Sequence, residues 1–272
     1  MTIKARNRFY MGFFILTLII FIFDFVVFHF QIFRGMMTVP EVSLRPDGPS
    51  GFLFTYKPLF SFAAIFFEFF YLCVTSFTIL YAFYKTQAGE LAYFLLFLIS
   101  ILLDATRIFI PLLKLAGTYT TALIAINDIV LTGTILSPIS LLALVLFSED
   151  EYRQNLEQNC MIIIVACAFI AFSVPINTAI LLPNFASAYA FNKILRFFII
   201  LTIIIAVASM SMNNFKKELS QLTTVGFFLM GVGALILKHS FTFIQLVTGA
   251  VFISAGTVLY FKELHNQYLW NS

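Results

Sequence analysis

Residues 91–116 read LAYFLLFLISILLDATRIFIPLLKLA, an almost uninterrupted apolar run in which only Asp104, Arg107 and Lys114 carry charge. A helix that crosses the hydrocarbon core of a bilayer needs about 20 consecutive, mainly apolar residues. This run therefore predicts a transmembrane helix. It also places two charged side chains inside that helix, and these become the first candidates for a functional site.

The composition of the whole chain extends this interpretation. Of 272 residues, 61% are hydrophobic and 11% are charged, with a formal net charge of +3. A soluble domain carries roughly 25% charged residues. The chain is therefore predicted to be an integral membrane protein without a sizeable soluble domain.

Seven further apolar runs predict an all-α bundle of eight transmembrane helices, joined by short loops into a single polytopic domain over residues 1–272. The predicted spans are 9–33, 58–84, 91–116, 119–147, 160–183, 190–212, 222–238 and 240–261. Lys238 and His239 leave only a tight turn between the last two spans, which predicts an antiparallel helical hairpin. If this turn is misread, the count falls to seven.

The first span is expected to be a retained signal anchor. Lys4, Arg6 and Arg8 precede a long apolar run, whereas the apolar region of a cleaved signal peptide covers about 7–15 residues before a small-x-small site. With the amino terminus inside, eight Lys and Arg residues flank the spans on the inner side and seven on the outer side. Only the amino-terminal cluster then favours an orientation, with both termini cytoplasmic.

The expected location is a multi-pass position in a membrane. The sequence contains no N-x-Ser/Thr sequon, so nothing in it argues for a glycosylated surface. A bacterial inner membrane or an organellar membrane fits the sequence as well as another eukaryotic membrane.

Five charged residues fall within the predicted spans: Asp24, Glu68, Asp104, Arg107 and Asp128. On insertion scales a charge at the centre of a span costs about 2.5–3.5 kcal/mol, so such residues are functional candidates by default. Asp104 and Arg107 are three positions apart and lie on one face of a helix, where they can pair directly.

A central polar site is predicted around this pair, with Asn127, Asp128, Thr132 and Asn177 from the next two spans. Each of these three spans also has a proline near its polar side chains, and discontinuous helices of this kind line transport sites. The alternative is structural. Polar side chains in membrane helices commonly bond to neighbouring helices, and Asp104 and Arg107 could form a neutral ion pair that Asp128 completes.

Glu68 and Asp24 are the candidate proton-binding groups. Each lies among phenylalanines, in FFEFF and FDF, with no basic residue near it in sequence. A carboxyl group in apolar surroundings favours its neutral form. The same features would fit a neutral carboxyl that only holds helices together.

Gly249, Gly256 and Trp270 are the candidate interface residues. Thr242, Gly249 and Gly256 recur every seven residues, and small residues let helices approach closely, either within the hairpin or between protomers. Trp270 closes a segment that continues the last helix past the membrane, where it could contact a protein partner or the bilayer interface.

The sequence offers no catalytic motif, no His and Cys cluster with metal-binding spacing and no nucleotide-binding fingerprint. We therefore expect neither an enzyme nor a cofactor, a metal or a nucleic-acid partner; the lipid bilayer is the expected surroundings. The favoured function is transporter-like or channel-like, for an ion or small solute. The alternative is a membrane sensor or an anchoring subunit of a larger membrane complex.

Overall fold

The computed structural model describes residues 3–34, 53–84, 89–118, 120–147, 156–216 and 220–270. Within these residues the chain forms a bundle of eight helices, which confirms the predicted all-α membrane architecture. The helices are α1 (Ile3–Phe33), α2 (Pro58–Ala82), α3 (Glu90–Leu112), α4 (Thr121–Leu146), α5 (Leu156–Ser173), α6 (Asn192–Lys216), α7 (Leu222–Lys238) and α8 (Phe243–Trp270).

Local sequence explains several helix boundaries. Pro58 opens α2, at the one helical position where its missing N–H leaves no hydrogen bond unmade. The Thr120 hydroxyl caps α4 by accepting from the backbone N–H of Leu123 at 3.3 Å. Pro111 cannot donate to the carbonyl one turn back, and α3 tightens into a 3-10 turn at Thr106–Ile108, just before it.

The prediction of a helix through residue 183 is wrong beyond Ser173. Helix α5 ends there because Pro175 disfavours helical backbone at the residue before it and lacks a donor of its own. An antiparallel hairpin follows, with β1 (Ile176–Leu181) paired to β2 (Ser187–Tyr189) and a register irregularity between Asn177 and Leu181.

Helices α3 and α4 occupy the centre of the bundle. In each, 72% of the most apolar 18-residue segment is buried, against 22% in α1 and α6 and 17% in α5. Helix α4 packs against α3, α5, α6 and α7. The exposed faces of α1, α5 and α6 are apolar, as lipid contact requires.

The two ends of the bundle differ. At the hairpin end, the β-hairpin contacts the start of α2 and the end of α7, through hydrogen bonds from the Ser61 hydroxyl to Pro183 O and from Asn184 Nδ2 to Lys238 O. At the opposite end, called the terminal end, Phe83 accepts a hydrogen bond from Arg6 of α1 and contacts the His265 ring of α8. The start of α1 and the end of α8 therefore lie at the same end of the bundle.

Seven of the eight helices have the length and hydropathy of a transmembrane span. The remaining one, α7, coincides with the predicted span 222–238 and has 17 residues. Its length of about 26 Å is slightly below the roughly 30 Å of a bilayer core. It packs closely along α8, which confirms the predicted helical hairpin.

Candidate functional site

The predicted pair of Asp104 and Arg107 forms directly on α3. The Arg107 Nη1 donates to Asp104 Oδ2 across one helical turn. Arg107 is 1% exposed and Asp104 6% exposed. Both charges therefore lie inside the bundle, where each depends on protein partners for its stability.

Glu68 of α2 is a second partner of Arg107. The Arg107 Nη2 donates to Glu68 Oε1 at 2.7 Å, and Glu68 is buried as well. The sequence shows no basic residue near Glu68, but its partner lies on the next helix, 39 positions away. The absence of a nearby basic residue in the sequence therefore does not leave Glu68 unpaired in the structure.

Lys238, the last residue of α7, completes the cluster, and the sequence interpretation missed it. Its Nζ lies 2.7 Å from Asp104 Oδ1, which makes an ion pair, although the two atoms lack the alignment of a hydrogen bond. Lysines at span ends ordinarily extend toward the interface. Lys238 extends into the bundle instead, and only 8% of it is exposed.

These contacts form a linear four-charge chain, Glu68–Arg107–Asp104–Lys238, which links α2, α3 and α7. Two acidic and two basic groups alternate along it, so the formal charge sums to zero. Losing one member would leave an uncompensated charge in a low-dielectric interior, and this is strongly destabilising.

His239 follows Lys238 in the turn before α8 but adds no charge to the four-charge chain near pH 7. Burial, together with the neighbouring Lys238 charge, lowers the pKa of His239 to about 4. Its Nδ1 lies 3.0 Å from Leu235 O, where a protonated ring nitrogen can donate. The turn therefore contributes a neutral imidazole.

A small cavity of about 30 Å³ lies beside the four-charge chain. Its polar lining consists of Glu68, Asp104 and Lys238 together with the hydroxyl-bearing residues Ser100, Thr134 and Ser137. A buried water needs at least about 10–15 Å³ of such space and two or more polar partners. The cavity can therefore hold one or two waters, or one species of that size.

Gly133 of α4 lets this site form. A β-carbon at Gly133 would lie 2.5 Å from Ser100 O and 2.8 Å from the Asp104 backbone nitrogen. Such distances exclude any side chain, so the α4 backbone contacts α3 directly beside Asp104. The close approach of these two central helices brings the cavity wall of α4 to the charges of α3.

Asp128 is not part of the four-charge chain. Its side chain is half-buried and makes no ion pair with Arg107 among the described contacts. Thr132 donates its hydroxyl to Asp128 O at 2.8 Å, a bond within α4 that leaves the carboxylate uninvolved. The predicted completion of the Asp104–Arg107 pair by Asp128 is therefore wrong, because Glu68 and Lys238 occupy those positions.

Asn127 and Asn177 belong to the β-hairpin and its attachment, not to the charged site. Asn127 Oδ1 accepts from Ser187 N at 2.7 Å, and Tyr189 Oη donates to Asn127 O at 3.2 Å. Asn177 lies exposed in β1, where its side chain accepts from Ala179 N. The predicted grouping of Asn177 with Asp104 rested on a helix that ends at Ser173, whereas Asn127 lies on α4 as predicted but has its side-chain oxygen bonded to the β-hairpin.

Asp24 lies on the buried face of α1, in line with Tyr10 and Thr17 at steps of seven residues. It is fully buried, and neither carboxyl oxygen has a hydrogen-bond partner among the described residues. It forms no hydrogen bond or ion pair with the four-charge chain in that part of the structure. Its role as a proton-binding group stays a prediction.

The small residues predicted as an interface pack within the α7–α8 hairpin. A β-carbon at Gly256 would lie 2.6 Å from Gly226 O, and one at Gly249 would lie 2.9 Å from the Leu237 side chain. Of the two alternatives, the described contacts therefore favour packing inside the hairpin. Trp270 ends α8, and its side chain lies outside the described part of the chain.

In the described ranges, no group of three or more His, Cys, Asp or Glu side chains has the arrangement of a metal site. Comparisons of the chain with family models, with curated proteins and with solved structures find no match. The fold and the four-charge chain are thus the evidence from which a function has to be argued.

Proposed function

We propose that this polytopic membrane protein is transporter-like or channel-like, and that it moves a small ion or solute through the bundle past the four-charge chain. One observation carries the proposal: a polar cavity inside a mainly apolar bundle is lined by Glu68, Asp104 and Lys238, three members of the four-charge chain. Intramembrane charges that face a cavity mark ion and substrate pathways.

The cavity size limits the species that can pass in this conformation. About 30 Å³ accommodates one or two waters, so the first substrates to test are protons and small inorganic ions. The hydroxyls of Ser100, Thr134 and Ser137 line the cavity together with the charges. Those of Ser100 and Thr134 already donate to Phe97 O and Val130 O within their own helices, so toward an occupant they can accept hydrogen bonds. A species that has lost part of its hydration shell would find replacement contacts there.

The test is a flux measurement in proteoliposomes. Purified protein is reconstituted, and the movement of H⁺, Na⁺, K⁺ and Cl⁻ is followed with ion-sensitive dyes against protein-free vesicles. We expect at least one flux above that background. The absence of all four would contradict the proposal.

A cavity-filling variant separates transport from a structural role. Ser137→Val adds apolar bulk to the cavity wall and leaves all four charges in place, so we expect it to abolish the flux while the protein stays folded. Ser173→Val, at an exposed hydroxyl at the end of α5, is the matched control and should leave the flux unchanged. An equal flux in both variants would contradict a pathway through the cavity.

The second candidate function is a membrane sensor or an anchoring subunit, in which the charges hold helices in register. The observation that favours it is the complete pairing of the four charges across α2, α3 and α7. This function predicts no flux and a stable complex with a partner in mild detergent. A monodisperse monomer with measurable flux would contradict it.

A further inference from the structure

Three charged atoms at the cavity retain unused hydrogen-bonding capacity. Glu68 Oε2, Asp104 Oδ1 and Lys238 Nζ have no hydrogen-bond partner among the described residues, although all three side chains are nine-tenths or more buried. Lys238 Nζ and Asp104 Oδ1 share only the ion pair described above. An unsatisfied buried group costs about 1–3 kcal/mol, and more when it is charged. A molecule in the cavity that forms hydrogen bonds with these three atoms is therefore bound favourably.

The signs of these atoms select the occupant. A metal cation would meet the ammonium of Lys238, and a halide would meet two carboxylates. Water can donate to the carboxylate oxygens, and its lone pairs can accept from the ammonium. The uncharged lining from α4 and α8, Gly133, Thr134, Ser137 and Ile253, does not change this balance.

We propose that the cavity is a water-mediated proton relay between Lys238 and Glu68, so that the ion moved by this protein is the proton. This inference rests on the proposed transport function and names its substrate. The titratable groups that face the relay are Glu68 on α2, Asp104 on α3 and Lys238 on α7, with Arg107 behind them as a fixed positive charge.

The elementary step conserves charge. One N–H bond of the Lys238 ammonium breaks as its proton joins the water oxygen, and one O–H bond of that water breaks as its proton joins Glu68 Oε2. The water is regenerated, the lysine becomes an amine and the glutamate a carboxylic acid. The four-charge chain has zero net charge before and after, so no uncompensated charge is created in the apolar interior.

The depths of the two groups give the relay a direction. Lys238 is the last residue of α7 and lies nearest the hairpin end. Glu68 lies ten residues into α2, about 15 Å from Pro58 at that end at 1.5 Å per residue. Its backbone is therefore further from the hairpin end than the backbone of Lys238, while both side chains line the same cavity. Lys238 would therefore exchange protons with the hairpin end, and Glu68 would pass them toward the terminal end.

The experiment measures H⁺ flux in vesicles loaded with a pH-sensitive dye, with K⁺ and valinomycin setting the membrane potential. Glu68→Gln and Lys238→Gln should each reduce the flux to the protein-free level. The double variant Glu68→Gln/Lys238→Gln removes one charge of each sign, so it keeps the chain neutral and guards against misfolding. It should also lose the flux while its thermal unfolding in detergent stays close to that of the wild type.

Asp128→Asn is the matched control, because it removes a carboxylate that is not part of the four-charge chain. It should retain the H⁺ flux. A flux of Na⁺, K⁺ or Cl⁻ without H⁺ would overturn the relay and leave the transport proposal intact. No flux of any of these ions would overturn both. H⁺ flux that persists in the folded double variant would overturn the relay alone.

Infrared difference spectra provide a second readout that needs no flux. A carboxylic acid band that appears on acidification and is lost in Glu68→Gln, but not in Asp128→Asn, would support proton binding at Glu68. The same band in both variants would contradict it.

Discussion

Arg107 is the residue on which the buried site depends most. It pairs with Glu68 on one helix and with Asp104 on its own helix, while Lys238 forms an ion pair with Asp104 alone among the described residues. Removing Arg107 would leave two carboxylates with a single lysine between them. The net charge of the four-charge chain would then be −1 in the buried interior of the bundle.

We expect Arg107→Met to destabilise the protein by about 3–5 kcal/mol, the cost of breaking a buried ion pair from one side. The double variant Glu68→Gln/Arg107→Met leaves the neutral pair of Asp104 and Lys238, so its loss should be smaller than that of Arg107→Met alone. Unfolding in detergent, followed by circular dichroism, measures both. Additive losses for Glu68→Gln and Arg107→Met would contradict the pairing.

At the residue scale, three of the four charged residues, Glu68, Asp104 and Arg107, are candidates from the sequence, and one of their contacts, Asp104 with Arg107, is predicted as well. Asp104 and Arg107 were predicted to pair because three positions along a helix always fall on one face. The partner of Glu68 could not be predicted, because contacts between helices depend on how the helices rotate and pack. Lys238 was missed because a lysine at a span end can extend either outward or inward, and only the position of Asp104 decides between them.

At the scale of elements, the packing of α3 against α4 is set by Gly133. The close contact of its backbone with Ser100 and Asp104 leaves no room for a methyl group. Gly12, on α1, has no atom within 4 Å of the corresponding position. The two glycines therefore provide a matched comparison of the same substitution.

We expect Gly133→Ala to destabilise the protein by about 1–3 kcal/mol, the cost of overpacking a tight contact. Gly12→Ala should be neutral or stabilising by up to about 1 kcal/mol, because alanine is the better helix former. Thermal unfolding in detergent compares them. A loss at Gly12 equal to that at Gly133 would show that close approach of α3 and α4 is not the cause.

The β-hairpin shows where sequence patterns fail at this scale. Residues 176–189 follow an apolar helix and are themselves largely apolar, so hydropathy extended the helix across their first half. Pro175 was the signal for the boundary, since proline disfavours helix at the residue before it. Membrane helices often tolerate proline, however, as Pro138 within α4 shows. Proline alone therefore could not distinguish a kink from an end.

At the scale of the whole molecule, hydropathy was sufficient to predict the bundle because the bilayer requires long apolar helices. It could not predict which helices lie at the centre. Helices α1, α4 and α6 are all strongly apolar, yet α4 is mostly buried and the other two are mostly exposed. Burial inside a membrane protein depends on packing against other helices, which hydropathy does not measure.

The start of α1 and the end of α8 both contact Phe83. This arrangement predicts that both termini lie on one side of the membrane. Arg6 Nη2 donates to Phe83 O at 2.6 Å, and the ring centroids of Phe83 and His265 are 5.8 Å apart. If both termini lie on one side, the number of crossings is even, and we therefore expect α7 to cross with the other seven helices. The basic residues Lys4, Arg6 and Arg8 favour the cytoplasmic side.

Compartment-specific reporters fused in turn to the amino and the carboxyl terminus provide the measurement. We expect both fusions to report the cytoplasm, and a third reporter inserted after Pro183 in the β-hairpin to report the opposite side. Reporters on opposite sides for the two termini would mean that α7 does not cross the bilayer. Both termini outside would keep the eight crossings but reverse the orientation, because the Lys and Arg flanking the two sides are nearly equal in number and orient the chain only weakly.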